Sequence, residues 1–253
     1  MKFLSLIGVE LQKIRRSKIL LILFLATIIT WLPSILHADM SFNAIVSPEE
    51  DFFIQGFMAV VWFMFPATMI VNTVLLSQTE RTNRGILKML TLPVRTGTLC
   101  AAKFIILLLI AALQMLMTTA MYFISAAIVT QIHNYKFMLS PLFVLKEVGI
   151  IYLSSIPMIA VFWMLSVFIQ TPIFSIGTGL VSIVPSVLMI NTKAWFIYPM
   201  CYPFYVITSG YGDGSISISE IETFPWLPVA AAITLFCFII SCLRFGRAER
   251  RSI

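Results

Sequence analysis

Residues 104 to 130 read FIILLLIAALQMLMTTAMYFISAAIVT, an apolar stretch that contains no Asp, Glu, Lys or Arg. At a helical rise of about 1.5 Å per residue, it is long enough to cross the roughly 30 Å hydrocarbon core of a bilayer. Five further stretches share both properties: 19–36, 57–76, 148–169, 173–190 and 226–243. Because lipid offers the backbone no hydrogen-bond partners, the sequence predicts six transmembrane helices and an all-α integral membrane protein.

The composition supports the same fold class. Hydrophobic residues make up 60% of the chain and charged residues only 11%, which leaves too little polar surface for a soluble domain. The net charge is +6 at pH 7, but basic residues in a membrane protein mark cytoplasmic loops, so we expect a lipid membrane and no nucleic acid as partner. The four cysteines form no CxxC pair, and we therefore expect neither a disulfide framework nor a metal site.

The distribution of charge predicts the orientation. Most of the 17 Lys and Arg residues lie in segments 2–18, 81–103 and 244–251, which share one side of a chain that crosses six times. The opposite side carries most of the acids: Asp39, Glu49, Glu50, Asp51, Asp213, Glu220 and Glu222. The positive-inside rule therefore places both termini in the cytoplasm of a multi-pass plasma-membrane protein.

The segment FLSLIGVELQKIRRSK precedes the first span. Its apolar residues recur at helical spacing, and its basic residues fall elsewhere on the helical wheel. This pattern is typical of a helix that lies in the headgroup layer, so we predict an interfacial helix at residues 2–16. A simple basic stop before the membrane is the alternative.

The stretch SQTERTNRGILKMLTLPVRTGTLCAAK, residues 77 to 103, follows the second span. Ser77 or Thr79 can cap a helix start, Glu80 suits the positive end of that helix, and Pro93 ends it. A small apolar face is formed by Ile86, Leu87 and Leu90. We predict a short charged helix whose apolar knob inserts into a cleft on a soluble partner, with a solvated basic loop as the alternative.

Residues 191–225 form a long segment between the last two spans, rich in aromatics and Pro, that either dips back into the membrane or lies on its outer surface. It contains TSGYGD, residues 208–213, which resembles a potassium-channel filter and leaves a potassium-selective channel as an alternative. Pro199 and Pro203 remove helix donors from the segment that would form a pore helix, and no span carries a row of Arg. We therefore favour an outer turn.

With these features together, the chain resembles an ABC transporter permease of the type-2 exporter class, and it is similar to lantibiotic and bacitracin immunity permeases. That family has an interfacial (elbow) helix, six spans, a cytoplasmic coupling helix and an outer re-entrant segment before the last span. The resemblance implies a single permease domain over residues 1–253 of a bacterial membrane protein, with the coupling helix at about 80–92. The residues expected to contact an ATPase subunit are Glu80, Arg81, Arg84, Gly85, Leu87, Lys88, Leu90 and Pro93.

The resemblance also implies function. The chain has no Walker A loop, so ATP and Mg²⁺ would be bound by separate ABC ATPase subunits, and the chain itself is expected to be no enzyme and to hold no cofactor. A second permease chain, identical or similar, would complete a path for an amphipathic cargo such as a peptide antibiotic, giving immunity or resistance. Spans two and five line that path in the family, and the residues expected there are Met58, Trp62, Phe65, Met69 and Phe174.

Other functions stay open at this point. A multidrug or lipid exporter fits the same layout, and the chosen path residues could equally be plain helix packing. The absence of charge from every predicted span argues against a proton-driven carrier, which needs buried ionisable relays. A membrane anchor without transport is mildly disfavoured by the Pro residues in five spans, since kinked helices suit proteins with internal cavities.

Overall fold

The computed structural model describes residues 3–15, 17–44, 46–81, 96–209 and 226–250, and these ranges contain helices but no strands. Six helices in them are long and apolar enough to cross a membrane, which confirms the predicted fold class. We call these helices spans one to six: Ile19–Leu36, Pro48–Gln78, Thr96–His133, Pro141–Phe168, Pro172–Met189 and Trp226–Phe245. A separate N-terminal helix, Phe3–Arg15, precedes span one.

Several spans begin earlier than the apolar stretches indicate. The helix of span two starts at Pro48 rather than at residue 57, and Glu49, Glu50 and Asp51 form its first turn. Carboxylates are favourable there because the first turn of a helix carries a partial positive charge, and Pro needs no hydrogen-bond donor at that position. These acids therefore start a helix that extends beyond the apolar stretch.

Span two is interrupted by one wide π-helical turn, Val60–Met64, between the α-helices Pro48–Ala59 and Phe65–Arg81. Pro66 lies two residues after the end of this turn. Pro lacks a backbone N–H, and its ring clashes with the carbonyl four residues earlier, so a local change of helix type is expected just before it. The wide turn rotates the second half of span two about the helix axis relative to the first, so residues before and after it do not share the face expected of a continuous α-helix.

Aromatic side chains join spans one, two and three at the end of the bundle that carries the acids. Trp31 is fully buried, and its ring centroid lies 5.6 Å from that of Phe57, 5.7 Å from Tyr122 and 6.1 Å from Phe52. Gly56 lies directly on this indole ring, so close that a Cβ there would overlap it. The absence of a side chain at residue 56 therefore allows spans one and two to approach.

The same end is closed by polar contacts between connecting segments. His133 Nε2 lies 3.0 Å from Asp39 Oδ1, and the Tyr135 hydroxyl donates to Glu49 Oε2 at 2.6 Å. The hydrogen bond to Glu49 raises the pKa of Tyr135, because the carboxylate stabilises the protonated phenol. We call this the acidic end of the bundle, and the opposite one, where the N-terminal helix lies, the basic end.

Tyr122 supports the turn that leads from span three to span four. Its hydroxyl accepts the Leu139 N–H at 3.1 Å and donates to the Phe137 carbonyl at 3.4 Å, and the side chain is fully buried. Tyr122→Phe should therefore leave two backbone groups without this partner and lower the free energy of unfolding by about 1–3 kcal/mol. The check is the thermal unfolding midpoint in detergent.

Tyr152→Phe is the matched control for that prediction. The Tyr152 hydroxyl makes one bond of this kind, donating to the Leu108 carbonyl at 3.2 Å, and the residue is only partly buried. We expect a smaller decrease than for Tyr122→Phe. Equal midpoints for the two variants would contradict the role given to Tyr122.

The segment after span five is folded against the bundle rather than free. A 3₁₀ turn, Trp195–Ile197, leads to a helix, Cys201–Ser209, that packs against span four and the first half of span two. Trp195, Cys201 and Tyr202 are buried, which agrees with a segment that turns back. Whether it enters the bilayer stays a prediction.

The prediction that Pro203 interrupts a helix before the filter-like motif is wrong. Pro203 lies in the first turn of the Cys201–Ser209 helix, where its missing N–H costs nothing, so a short helix does lead to Thr208. Thr208 itself donates to the Phe204 carbonyl at 3.0 Å within this helix. The rest of the filter-like motif, residues 210–213, lies outside the described residues.

Candidate functional site

The segment predicted to contact a partner, residues 77–103, begins inside the helix of span two. That helix continues without a break through Ser77 to Arg81, and the Ser77 hydroxyl donates to the Val74 carbonyl at 2.9 Å. The predicted helix cap at Ser77 or Thr79 is therefore wrong, and Glu80 and Arg81 belong to the last turn of this helix. The other predicted contact residues lie outside the described residues: Arg84, Gly85, Leu87, Lys88, Leu90 and Pro93.

The part of this region that the structure does describe holds a buried ionic cluster. Glu10, on the N-terminal helix, and Lys103, near the start of span three, are 0% and 1% exposed. Lys103 Nζ lies 3.8 Å from Glu10 Oε2, an ion-pair distance, and 3.4 Å from the Leu76 carbonyl oxygen in span two. Lys13 Nζ donates to the other carboxylate oxygen of Glu10 at 2.6 Å, and its side chain is 33% exposed.

The fold of the N-terminal helix explains why Glu10 is inside. Leu6, Glu10 and Ile14 follow one another at four-residue spacing, and all three are buried against the bundle. Val9 and Leu11, which lie on either side of Glu10 around the helix, remain exposed, as expected for side chains that contact lipid headgroups and chains. The helix therefore carries an inward stripe with one carboxylate at its centre, which the outward apolar pattern alone did not indicate.

This cluster does not follow from the charge pattern, in which Lys13 and Lys103 serve only as signals of orientation. One signal was present: Glu10 is the single acid among the basic residues of the first 18 positions. A lone carboxylate in such a segment is a reasonable candidate for a buried ion pair. The sequence does not indicate that Lys103, rather than one of the Lys and Arg residues close to Glu10 in the chain, is its partner.

Spans two and five, expected to line a path, pack against each other. A Cβ at Gly179 would lie 2.8 Å from Ile70 Cγ2, so glycine permits the close approach, and Ser175 is buried one turn earlier. A Cβ at Gly177 would meet nothing within 4 Å. Within span five, Gly179 and Ser175 therefore face the bundle, whereas Gly177 does not.

The five proposed path residues do not share one surface of the chain. Phe65 and Met69 are fully buried, Met58 is partly buried, and Trp62 and Phe174 are 43% and 68% exposed. The π-helical turn at Val60–Met64 accounts for the split within span two, because it changes the helical phase between residues 62 and 65. Of these five residues, Trp62 and Phe174 are the two whose side chains are exposed enough in a single chain to contact a cargo or a second chain.

Buried polar side chains between spans two and three were also missed, since only charges were sought in the spans. Thr68 donates to Gln114 Oε1 at 2.8 Å across the two helices. Asn72, one turn after Thr68, is fully buried, and neither its amide nitrogen nor its oxygen has a hydrogen-bond partner among the described residues. Thr68, Gln114 and Asn72 therefore give this part of the bundle a polar centre, although buried polar groups are costly inside a membrane protein.

Comparison with known proteins adds the family context. A family model described as "ABC-2 family transporter protein" matches residues 6–186, which cover most of the N-terminal helix, spans one to four and most of span five. No curated protein and no solved structure matches the chain.

Proposed function

The chain belongs to the ABC-2 transporter family, and from this premise we propose that it is the permease subunit of an ATP-driven exporter of amphipathic peptides. As a member of that family, it is a multi-pass membrane protein that acts with separate ABC ATPase subunits. In the proposal these subunits bind ATP and Mg²⁺, two permease chains enclose the path, and both termini lie in the cytoplasm of a bacterium.

The observation that carries the proposal is the family match over residues 6–186 of a chain with six apolar spanning helices. The matched range includes segment 82–95, which joins spans two and three and carries six of the eight residues predicted to contact an ATPase. The potassium-channel alternative retains the TSGYGD motif and the short helix, Cys201–Ser209, that leads into it. Short motifs of this kind occur often without function.

The proposed mechanism is alternating access. Closure of two ATPase subunits on ATP would displace segment 82–95, and that displacement would pass directly into spans two and three, which the segment joins. Span five would follow span two, because Gly179 and Ile70 hold these helices in close contact. Packed helices respond to such displacement by shifting between discrete arrangements rather than by bending continuously.

The peptide cargo is the finer part of the proposal, and it rests on two supports. The size and layout of the chain are similar to those of lantibiotic and bacitracin immunity permeases. The exposed Trp62 and Phe174 offer large apolar surfaces on the two spans assigned to the path. Aromatic and apolar faces of this kind accommodate amphipathic molecules of varied shape.

Association with an ATPase tests the first part. The tagged chain, expressed with its native neighbours and purified in mild detergent, should bring down an ATPase, and Leu87→Ala should reduce the ATPase recovered by about tenfold. Leu142→Ala is the matched control, since Leu142 is 81% exposed at the start of span four and at the acidic end. Recovery of a tetramer that conducts potassium in liposomes, without ATPase, would overturn the proposal.

The cargo is tested in cells. Strains that express the chain with its ATPase should tolerate a several-fold higher concentration of a lantibiotic than strains with Leu87→Ala. Resistance to a cationic dye instead, without resistance to the peptide, would replace the peptide proposal by multidrug export. The two assays therefore separate the permease role from the identity of what it carries.

A further inference from the structure

We propose that Glu10, Lys103 and the Leu76 carbonyl form an ion clamp that transmits the movement of segment 82–95 to the N-terminal helix and span one. The inference rests on the proposed function, since it concerns how an ATPase-driven displacement spreads through this chain. It makes Lys103 and Glu10 positioning residues for transport. Neither residue is expected to touch ATP or cargo.

The clamp connects the N-terminal helix to the two helices that enter and leave segment 82–95. Leu76 lies in the last turns of the helix that leads into the segment, and Lys103 lies in the first turns of the helix that leaves it. The Lys103 ammonium is within 3.4 Å of the Leu76 oxygen and 3.8 Å of the Glu10 carboxylate. The N-terminal helix is thereby attached to both ends of the segment by one buried cation.

A short connection continues the path from the N-terminal helix to span one. Ser17 N–H donates to the Ile14 carbonyl at 2.9 Å, and the Ser17 hydroxyl donates to the same carbonyl at 2.7 Å. The Ile19 N–H in turn donates to the Ser17 hydroxyl at 3.3 Å. This tight turn leaves little slack, so a shift of the N-terminal helix is passed to the start of span one.

Stability alone is a poor explanation for this arrangement. Removing charges from water is costly, and well-packed apolar residues in place of a buried ion pair are often equally or more stable. Leu6 and Ile14 already pack the N-terminal helix against the bundle by apolar contact. What the charges add is an electrostatic attachment between helices, because one ammonium lies within ion-pair distance of one carboxylate and 3.4 Å from one carbonyl oxygen.

Four variants, assembled with the ATPase in lipid nanodiscs, test the clamp. Lys103→Met and Glu10→Gln should each lower kcat for ATP hydrolysis per assembled complex by about tenfold without changing KM for ATP. Lys13→Met is the matched control, because Lys13 binds the same carboxylate but is 33% exposed, and it should change kcat by less than about twofold. Lys103→Arg keeps the cation and should retain most of the activity.

The double variant Glu10→Gln with Lys103→Met separates positioning from stability. It leaves neither Glu10 nor Lys103 as an uncompensated buried charge, so its thermal unfolding midpoint should recover toward that of the unchanged protein even if the single variants unfold easily. Its kcat should nevertheless stay low, because the attachment is gone.

The outcomes are distinct. A stable double variant with full activity would overturn the clamp and leave the permease function intact, and so would equal losses for Lys13→Met and Lys103→Met. If the unchanged chain recruits no ATPase at all, the proposed function fails and the clamp with it. A stable but uncoupled double variant, beside an active Lys103→Arg, is the result that supports the inference.

Discussion

Gly56→Ala is expected to prevent correct packing of span one on span two. A Cβ at residue 56 would lie 2.5 Å from Trp31 Cη2 and 3.2 Å from Cε3, far inside normal contact distance. The indole cannot move aside, because Trp31 is fully buried and its ring is in contact with those of Phe52, Phe57 and Tyr122. A single methyl group therefore has to displace a helix rather than a side chain.

The expected loss is about 3 kcal/mol, the upper part of the range for overpacking a rigid core. It should appear as a large decrease in the thermal unfolding midpoint and in the yield of monodisperse protein. Gly149→Ala is the control, since a Cβ at that position in span four would meet nothing within 4 Å, and it should leave both quantities unchanged. Replacing Trp31 by Leu in the Gly56→Ala protein should recover part of the loss by making room.

The prediction separates a steric cause from a general sensitivity of span two. A Gly56→Ala protein as stable as the unchanged chain would show that Trp31 and residue 56 are not in contact. Failure of Trp31→Leu to recover any stability would instead place the damage elsewhere in the helix. Only recovery specific to the pair supports the contact described here.

Gly179→Leu is expected to force span five away from span two. A Cβ at residue 179 would lie 2.8 to 3.0 Å from three atoms of the buried Ile70 side chain, and Leu adds further atoms beyond it. The loss should be about 2 kcal/mol, less than for Gly56→Ala because an aliphatic side chain yields more readily than a packed indole. The thermal midpoint measures it.

Gly177→Leu supplies a closely matched control, because it makes the same change in the same helix where a Cβ would meet nothing within 4 Å. It should have little effect on stability. Ile70→Ala combined with Gly179→Leu should restore part of the lost stability by returning the volume. Equal effects at residues 177 and 179 would show that span five does not face span two as described.

These two predictions also bear on transport, in different ways. Gly56 lies in a contact within the acidic end, so its replacement should lower the amount of assembled complex without altering the activity of what assembles. Gly179 lies between the two spans proposed to line the path, so Gly179→Leu should lower ATP-driven transport per complex as well. Activity normalised to the amount of complex distinguishes the two effects.

The six spans, their order and the all-helical fold could be predicted from sequence because membrane insertion depends on local properties. Whether a stretch can cross the bilayer depends on its own length and apolar character and not on the rest of the chain. The starts of the helices were less predictable. Glu49, Glu50 and Asp51 suggest a loop by composition, yet they suit the first turn of a helix by charge.

The phase of span two shows where local pattern stops being sufficient. Met58, Trp62, Phe65 and Met69 fall on one face of an ideal α-helix, and sequence analysis placed them together. The wide turn before Pro66 divides them, so that Phe65 and Met69 are buried and Trp62 is exposed. The proline was visible in the sequence, but the way in which the helix accommodates it depends on the neighbouring spans.

Local composition and charge are sufficient to predict a helical membrane protein with six spans and basic segments on one side. Which of those charges are buried in the fold depends on how the helices pack against one another. Glu10 and Lys103 are far apart in the chain and look like ordinary surface residues of a basic segment. Both are removed from solvent only when the N-terminal helix packs on span three. Because an unpaired charge is costly in a buried environment, that packing gives each of them a specific partner.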